Sequence, residues 1–475
     1  MRKGFYFAGA GNGQDGRSGS AAGRKIRIAK MMDEQKKSEQ MVIRNTFSVC
    51  PVCLKKLPAQ LIQKEGDTIF LQKNCQEHGT FEIPVWKGHF DYGDWIRMEA
   101  PMTEAESAGC SGDCRACGAH GQGTCCVILE VTKDCNLRCP FCFAYGGEHK
   151  IIPSAESLKQ DIDRIVELAG DPLLQLSGGE PTLRDDLPEL VAYAKTAGCS
   201  YTQINTNGIR LAEDEDYVRA LAKAGLDIVF LQFDGTNHEI FRWMREKDLL
   251  DVKLRAIYNC DKYHIGVTLV PTIVRGINDH QIGDIVRTAI RLFPAVKSIH
   301  FQPVTYLGRY PENPQARERY TLDELMQALV VQTGIPENTL LPSRCDHAAC
   351  EFHSTFVVSD EKHLIPVSDR TADARTNRTS AKKNREYVAE HWKRTETDGH
   401  EDTGENQPIV FGKTDDLDFD TFIRYMRTRT LKISAMAFQD AMNLDLERLG
   451  RCSLHVYENG KLLPFCRKYL TPILQ

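Results

Sequence analysis

Three things are missing from this sequence of 475 residues. It has no run of about 18 apolar residues, which excludes a membrane-spanning helix. It has no excess of charge of one sign: 60 Lys+Arg face 65 Asp+Glu, a formal net charge of −5. A dedicated nucleic-acid binder would normally carry a basic excess, so no nucleic-acid partner is expected. The N-terminus also lacks the apolar core of about 7–15 residues that a secretory signal requires. The expected compartment is therefore the reducing cytoplasm, where clustered cysteines usually bind metals instead of forming disulfides. Residues 1–42, in which Gly, Ser, Arg and Lys dominate after Ala8, are expected to be a disordered extension, with an RNA-binding basic arm as the alternative. What remains, 41% hydrophobic and 26% charged residues, describes a globular chain too long for one ordinary domain.

Cysteine is the abundant residue. There are 17, an odd number, so a complete set of disulfides cannot use them all. They fall into groups. Cys50 and Cys53 form a CPVC knuckle, and Cys75 with His78 forms a second one, NCQEH. Two knuckles on short hairpins are the layout of a metal ribbon, supplying four ligands for zinc or for a rubredoxin-like iron. Cys110, Cys114, Cys117 and Cys125 form a second group, and Cys135, Cys139 and Cys142 a third. Cys345, Cys350, Cys452 and Cys466 are widely spaced, and Cys126, Cys199 and Cys260 are read as packing residues.

From Val127 the pattern alternates. Segments 127–132 (VILEVT), 173–177 (LLQLS), Tyr201–Asn205, Asp227–Phe233, Gly266–Val274 and Ser298–Pro303 read as strands. Between them, Ser154–Leu168, Leu187–Ala197, Asp214–Ala224, Leu249–Cys260 and Asp279–Leu292 have helical apolar spacing. Strands alternating with helices predict an α/β fold with a parallel layer or barrel. Ligands of such folds sit at the C-terminal ends of the strands.

The third cysteine group falls at such an end, directly after the first strand, with Phe141 before its last cysteine (CNLRCPFC). Three thiolates can hold three irons of a 4Fe–4S cube and leave the fourth open to a ligand. Gly178-Gly179-Glu180-Pro181 follows the second strand, where glycines let backbone approach a ligand closely. This constellation resembles the radical S-adenosylmethionine (SAM) superfamily. The resemblance implies that SAM binds the open iron and is reductively cleaved to a 5′-deoxyadenosyl radical that abstracts hydrogen from substrate. It implies catalytic roles for Cys135, Cys139 and Cys142. It also implies SAM contacts from Phe141, Gly178, Gly179, Glu180, Pro181, Asn205, Asn207, Gln232, Asp234, Pro271 and Gln302. An external one-electron donor of flavodoxin or ferredoxin type would be a partner.

The second group repeats the Cys-x3-Cys-x2-Cys spacing, but Ala116 replaces the aromatic residue and the copy precedes the first strand. With Cys125 as fourth ligand it suits a closed auxiliary 4Fe–4S cluster or a structural zinc. The C-terminal set ends in a hairpin turning at Glu458-Asn459-Gly460 and suits a second auxiliary cluster. The order of these motifs resembles the group containing archaeal tetraether lipid synthase and the pterin-methylating enzyme of methanogens, with Ser111 where that group usually has Pro. This implies a partial (β/α)6 radical SAM barrel over 127–335, a ribbon unit over 43–100 and an auxiliary-cluster segment over 101–126. A C-terminal auxiliary-cluster domain would cover 336–475, with a mobile insertion at 368–416. The implied activity is carbon–carbon coupling or methyl transfer on a lipid or small-molecule substrate. A peptide or cofactor maturase and a non-catalytic iron–sulfur carrier are the alternatives. An apolar pocket would favour lipid chains, and a polar one with convergent hydrogen-bonding groups a pterin or other heterocycle.

Overall fold

The computed structural model describes residues 40–64, 66–98, 123–148, 152–311, 315–343, 345–370, 381–391, 393–394, 404–414 and 417–473. Residues 1–39 of the expected extension and Cys110, Cys114 and Cys117 lie outside these residues, whereas Met41 and Val42 already belong to the first strand. The first element is a four-stranded sheet of β1 (Met41–Val49), β2 (Lys56–Lys64), β3 (Thr68–Cys75) and β4 (Gly79–Trp86), in that order. Its knuckles sit at the β1–β2 and β3–β4 turns.

The barrel strands follow where alternation placed them: β5 (Cys126–Thr132), β6 (Leu173–Gly178), β7 (Tyr201–Thr206), β8 (Ile228–Gln232), β9 (Gly266–Val270), the short β10 (Thr272–Ile273) and β11 (Val296–Pro303). All six long strands pair in parallel, in chain order. The crossover helices show why. Ala155–Ala169 starts at Ser154, whose side chain accepts from the Ser157 amide, buries Leu158, Ile162 and Ile165 on one stripe, and stops at Gly170 with φ +75°. A cap, an apolar stripe at helical spacing and a terminal glycine are the local signals of a surface helix lying on a sheet.

The C-terminal region extends this sheet. After β12 (Leu341–Pro342), β13 (Glu351–Val358) and β14 (Leu364–Pro366), β15 (Thr430–Met436) joins β11 in parallel. β13 then pairs antiparallel with β15. At the other edge β16 (Leu454–Glu458) joins β5 in parallel and turns back as β17 (Lys461–Pro464). The turn residues Asn459 and Gly460 have φ +49° and +79°, the positive pair of a two-residue hairpin loop. Eight strands therefore run parallel where six were expected, because strands from the C-terminal region cover both edges of the barrel sheet. The two ends of the curved wall are tied by Asp346, whose carboxylate accepts from the Ser453 amide (2.7 Å) and hydroxyl (3.0 Å).

Within the segment expected to be a mobile insertion, Ala381–His391 forms a helix. It lies across the N-terminal ends of the strands. Arg385 donates to the carbonyls of Thr124 (2.9 Å) and Ala169 (2.8 Å), Lys393 lies 2.8 Å from the Asp227 carboxylate, and Arg394 pairs with Asp261. No helix among the described residues is long and apolar enough to cross a membrane.

The ribbon sheet docks on the C-terminal region through Lys73. Its ammonium, 2% exposed, donates to Ser48 Oγ (3.0 Å) and to the carbonyls of Ala441 (2.8 Å) and Met442 (2.7 Å). Replacing Lys73 by Met strands both carbonyls. The expected loss is about 1–3 kcal/mol of unfolding free energy, the usual penalty for buried polar groups left unpaired, read from denaturant melts of the holoprotein.

Candidate functional site

The loop after β5 carries Cys135, Cys139 and Cys142, and three tethers hold it. The first is the end of β6. The amide of Gly179 donates to Thr132 O and that of Glu180 to Asp134 O, each at 2.8 Å. A Cβ on Gly178 would lie 2.1 Å from Thr132 O, and one on Gly179 2.1 Å from Asp134 O. Only glycine fits at either place, and the reason is the approach of one protein segment to another. The second tether is Arg309, which exchanges backbone hydrogen bonds with Cys142 in both directions at 2.9 Å. The third is Asn207, whose Nδ2 donates to Asn136 Oδ1 at 2.7 Å.

Glu180 joins these tethers. Its carboxylate, in a residue 1% exposed, accepts from the Thr182 amide (3.0 Å) and hydroxyl (2.6 Å), the Thr206 hydroxyl (2.6 Å) and the Asn207 amide (2.7 Å). GGEP and NTNG are thus one hydrogen-bonded unit. Asp234 plays the same part lower in the chain. It is paired with Arg245 at 2.7 Å through both carboxylate oxygens, and also accepts from Gln232 and from the Thr272 amide (3.1 Å). Lys253 donates to Asn207 O and to Gln232 Oε1 (3.0 Å). Burial pushes its ammonium down to about 7.

The three cysteines are half-buried and face one cavity of about 360 Å³. The Leu137 amide donates to Cys135 Sγ and the Gly146 amide to Cys142 Sγ, both at 3.4 Å. Burial pushes the Cys135 thiol up to about 12, and Glu180 and the other two cysteines add to the rise. Three thiolates in this place require cationic metal among them, so the donor set fits an iron–sulfur cluster held at three corners. Phe141, beside the last cysteine, packs on Trp243 with ring centroids 6.0 Å apart.

On five strands two alternate residues line the cavity, an upper one nearer the strand's C-terminal end and a lower one two positions earlier along the same strand. The upper residues are Ser177, Asn205, Gln232, Gln302 and Met436, and Cys135, Cys139 and Cys142 line the same cavity. The lower residues, each about 6.6 Å earlier along its own strand, are Gln175, Gln203, Phe230, His300 and Ser434. Asn384, Tyr387 and Val388 of the helix Ala381–His391 form the floor, with Lys432 Nζ 4.1 Å above the Tyr387 ring. Asn205 Oδ1 is buried without a hydrogen-bond partner among the described residues.

Of the residues expected to contact SAM, Phe141, Gly178, Gly179, Glu180, Asn205, Asn207, Gln232 and Gln302 line this cavity. Pro181, Asp234 and Pro271 are not among its lining residues. Pro181 opens a short 3-10 turn, Pro271 separates β9 from β10, and Asp234 is held by Arg245. Arg245, Lys253, Arg309 and His300 escaped the sequence reading, because each is isolated in the sequence and acquires its role only when helices and strands meet.

In the ribbon, Cys50, Cys53, Cys75 and His78 bring all four ligand atoms within 4.8 Å of one another, the fit of a single tetrahedral ion. His78 Nδ1 lies 3.4 Å from Cys75 Sγ, and this contact draws the Cys75 thiol down to about 6. Cys350, Cys452 and Cys466 lie close enough to perturb one another's thiols, and Arg448 Nε donates to Cys350 Sγ at 3.3 Å. Cys345 stands beside Cys125. Asn384 Nδ2 lies 3.4 Å from both sulfurs, and Ser453 Oγ is 3.4 Å from Cys345 Sγ. Cys199 and Cys260 are core residues, whereas Cys126 lines the cavity.

Two outcomes follow. Gly179→Ala should displace the cysteine loop and lower iron at the barrel site after anaerobic reconstitution, with secondary structure retained by circular dichroism. His78→Ala should lose one metal per chain by elemental analysis while the barrel iron stays.

Comparisons place the chain among known proteins. Residues 129–289 match the family described as "Radical SAM superfamily", and residues 42–87 that described as "HMPTM N-terminal zinc ribbon domain". The chain is 31% identical to the 7,8-dihydro-6-hydroxymethylpterin dimethyltransferase of Methanocaldococcus jannaschii, over 89% of this chain and 92% of that protein. It is 30% identical to a probable GTP 3′,8-cyclase of Thermococcus kodakarensis, over 43% of this chain and 66% of that one. Streptococcus suis SuiB bound to S-adenosylmethionine is similar with a TM-score of 0.36 at 16% identity, over 45% of this chain and 49% of that one. With its barrel, its cysteine loop and this near full-length relative, the chain belongs to the radical SAM superfamily, in the family of the methanogen pterin dimethyltransferase.

Proposed function

We propose that this radical SAM enzyme modifies an unactivated carbon of a pterin-like heterocycle, by methyl transfer. The observation that carries the reading is a small set of polar groups converging within a mostly apolar cavity wall. Gln175, Gln203, Asn205, His300, Gln302 and Ser434 face a cavity of about 360 Å³, near the lower end of the roughly 300–1,000 Å³ typical of ligand pockets. A lipid chain would leave a group the wall does not pair internally, such as Asn205 Oδ1, desolvated and unpaired, at a cost of about 1–3 kcal/mol. A ring with its own donors and acceptors pairs with such a group. The relative from M. jannaschii is a pterin dimethyltransferase by name, which supports the same substrate class.

Cys135, Cys139 and Cys142 would hold the cluster, whose chemistry when loaded with SAM is reductive cleavage to a 5′-deoxyadenosyl radical. The chain's own residues do the positioning. Gly178, Gly179 and Glu180 fix the loop and present backbone to the cavity. Asn205 Oδ1 and Gln302 offer side-chain contacts among the upper residues of the cavity, which Phe141 also lines. Asn207, Gln232 and Asp234 act through the tethers described above. Auxiliary clusters would use Cys350, Cys452 and Cys466 on one side and, on the other, Cys125 with Cys110, Cys114 and Cys117 of the segment outside the described residues, Cys345 standing beside Cys125, with zinc or a single iron in the ribbon. An external one-electron donor would reduce the barrel cluster.

Anaerobic reconstitution followed by SAM and dithionite should yield 5′-deoxyadenosine, and Cys139→Ala should abolish it. Adding 7,8-dihydro-6-hydroxymethylpterin together with a one-carbon donor, excess SAM or a reduced folate, and with dithionite as the electron source, should give a methylated pterin by mass spectrometry. Absence of 5′-deoxyadenosine from the wild type would overturn the catalytic reading. Its formation without any pterin product would overturn the choice of substrate.

A further inference from the structure

The lower residues of the cavity have no part in holding the cysteine loop, yet their polar groups are oriented. His300 Nδ1 lies 2.9 Å from Ser434 Oγ, and that oxygen lies 3.4 Å from the Ile299 carbonyl. A hydroxyl has one proton and the carbonyl can only accept, so the tautomer that satisfies both contacts is the one in which Ser434 donates to Ile299 O. Nδ1 is then the donor to Ser434, and Nε2 is left as an acceptor. Burial holds the imidazole pKa down at about 4, so the ring is neutral near pH 7.

Three strands along the curved wall, Gln203 Nε2 donates to Gln175 Oε1. The two glutamines are register partners on β7 and β6. This bond orients the Gln203 amide and leaves its Oε1 as a second acceptor. Phe230, whose ring centroid is 6.2 Å from that of His300, adds an apolar face between them. Two acceptors and an aromatic face suit a flat ring with N–H donors on its edge.

We propose that His300 Nε2 and Gln203 Oε1 read the donor edge of a 2-amino-4-oxopyrimidine ring and so determine substrate specificity. The assignment rests on the heterocycle reading given above. It deepens that reading by naming the edge recognised and the residues that recognise it. Reduced pterins and guanine nucleotides share this edge, so the experiment separates them.

The test is equilibrium binding to the anaerobically reconstituted full-length protein in the presence of SAM. Four probes are used: 7,8-dihydro-6-hydroxymethylpterin, its 2-deamino analogue, GTP and ITP, which is GTP without the 2-amino group. Wild type should bind the pterin and discriminate against the deamino analogue by about tenfold or more, the usual consequence of unpaired polar groups in a site. His300→Phe and Gln203→Leu should lose that discrimination and weaken pterin binding by a similar factor. His300→Gln, which restores an acceptor, should recover part of it. Iron content and melting temperature identify a variant that has failed to fold. The wild-type comparison of amino and deamino probes needs no variant. Preference for GTP over both ITP and the pterin would support the edge assignment while overturning the pterin reading. Equal binding of amino and deamino probes, or unchanged affinity in His300→Phe and Gln203→Leu, would overturn the edge assignment and leave the heterocycle reading standing. If wild type binds none of the four probes, both readings fall.

Discussion

A carboxylate buried to 1% exposure must be satisfied or expelled, and Glu180 is satisfied four times over. The arrangement of the site depends on this. The bonds from Thr206 and Asn207 lock the end of β6 to the end of β7, and the two from Thr182 close the turn that follows β6. Through Asn207 and Asn136 the first pair also reaches the cysteine loop. Gly178 and Gly179 complete the joint, because no side chain could stand between β6 and the segment entering that loop. The second buried carboxylate, Asp234, repeats the device with Arg245, Gln232 and Thr272. Several motif residues that attract attention as ligand contacts thus spend their side chains on one another. Preorganisation of this kind lets a loop hold a reactive centre with little freedom to move.

The cavity is a product of three distant parts of the chain. Six strands between Cys126 and Pro303 form most of its wall, β15 and β13 continue it, and the helix Ala381–His391 makes its floor. Asp346 and Ser453 tie the ends of the wall together. Neighbouring residues of the same two segments, Cys345 and Cys452, belong to the outer cysteine sets. Closure of the barrel and placement of those cysteines are therefore one structural event. Lys73 extends the linkage to the ribbon, since its ammonium replaces solvent for two carbonyls of the C-terminal region.

Periodicity along each strand places two sets of residues in one cavity. Side chains repeat on a face every second residue, so Asn205 and Gln203, or Gln302 and His300, point the same way at different depths. The upper residues share the cavity with the three cysteines of the loop after β5, and the lower ones share it with Tyr387 and Val388.

Much of this was legible in the sequence, and for identifiable reasons. The six barrel strands and five crossover helices follow from local apolar spacing and caps, such as Ser154 and Gly170, which act within a few residues of chain. The hairpin at Asn459-Gly460 follows from the need for positive φ at two successive residues. The ribbon knuckles and the loop of Cys135, Cys139 and Cys142 follow from spacing alone. Tertiary structure decided the rest. Cys345 was grouped by sequence with Cys350, Cys452 and Cys466, but its sulfur stands beside Cys125, more than 200 positions earlier by their residue numbers. Asp234 follows a strand as a ligand-binding residue would, yet Arg245 claims it. His300 lies in an ordinary strand until Ser434 orients it. Local order depends on interactions a few residues long, which a sequence displays. The partner of a buried charge or hydrogen-bonding group depends on which segments meet, and only the folded chain settles that.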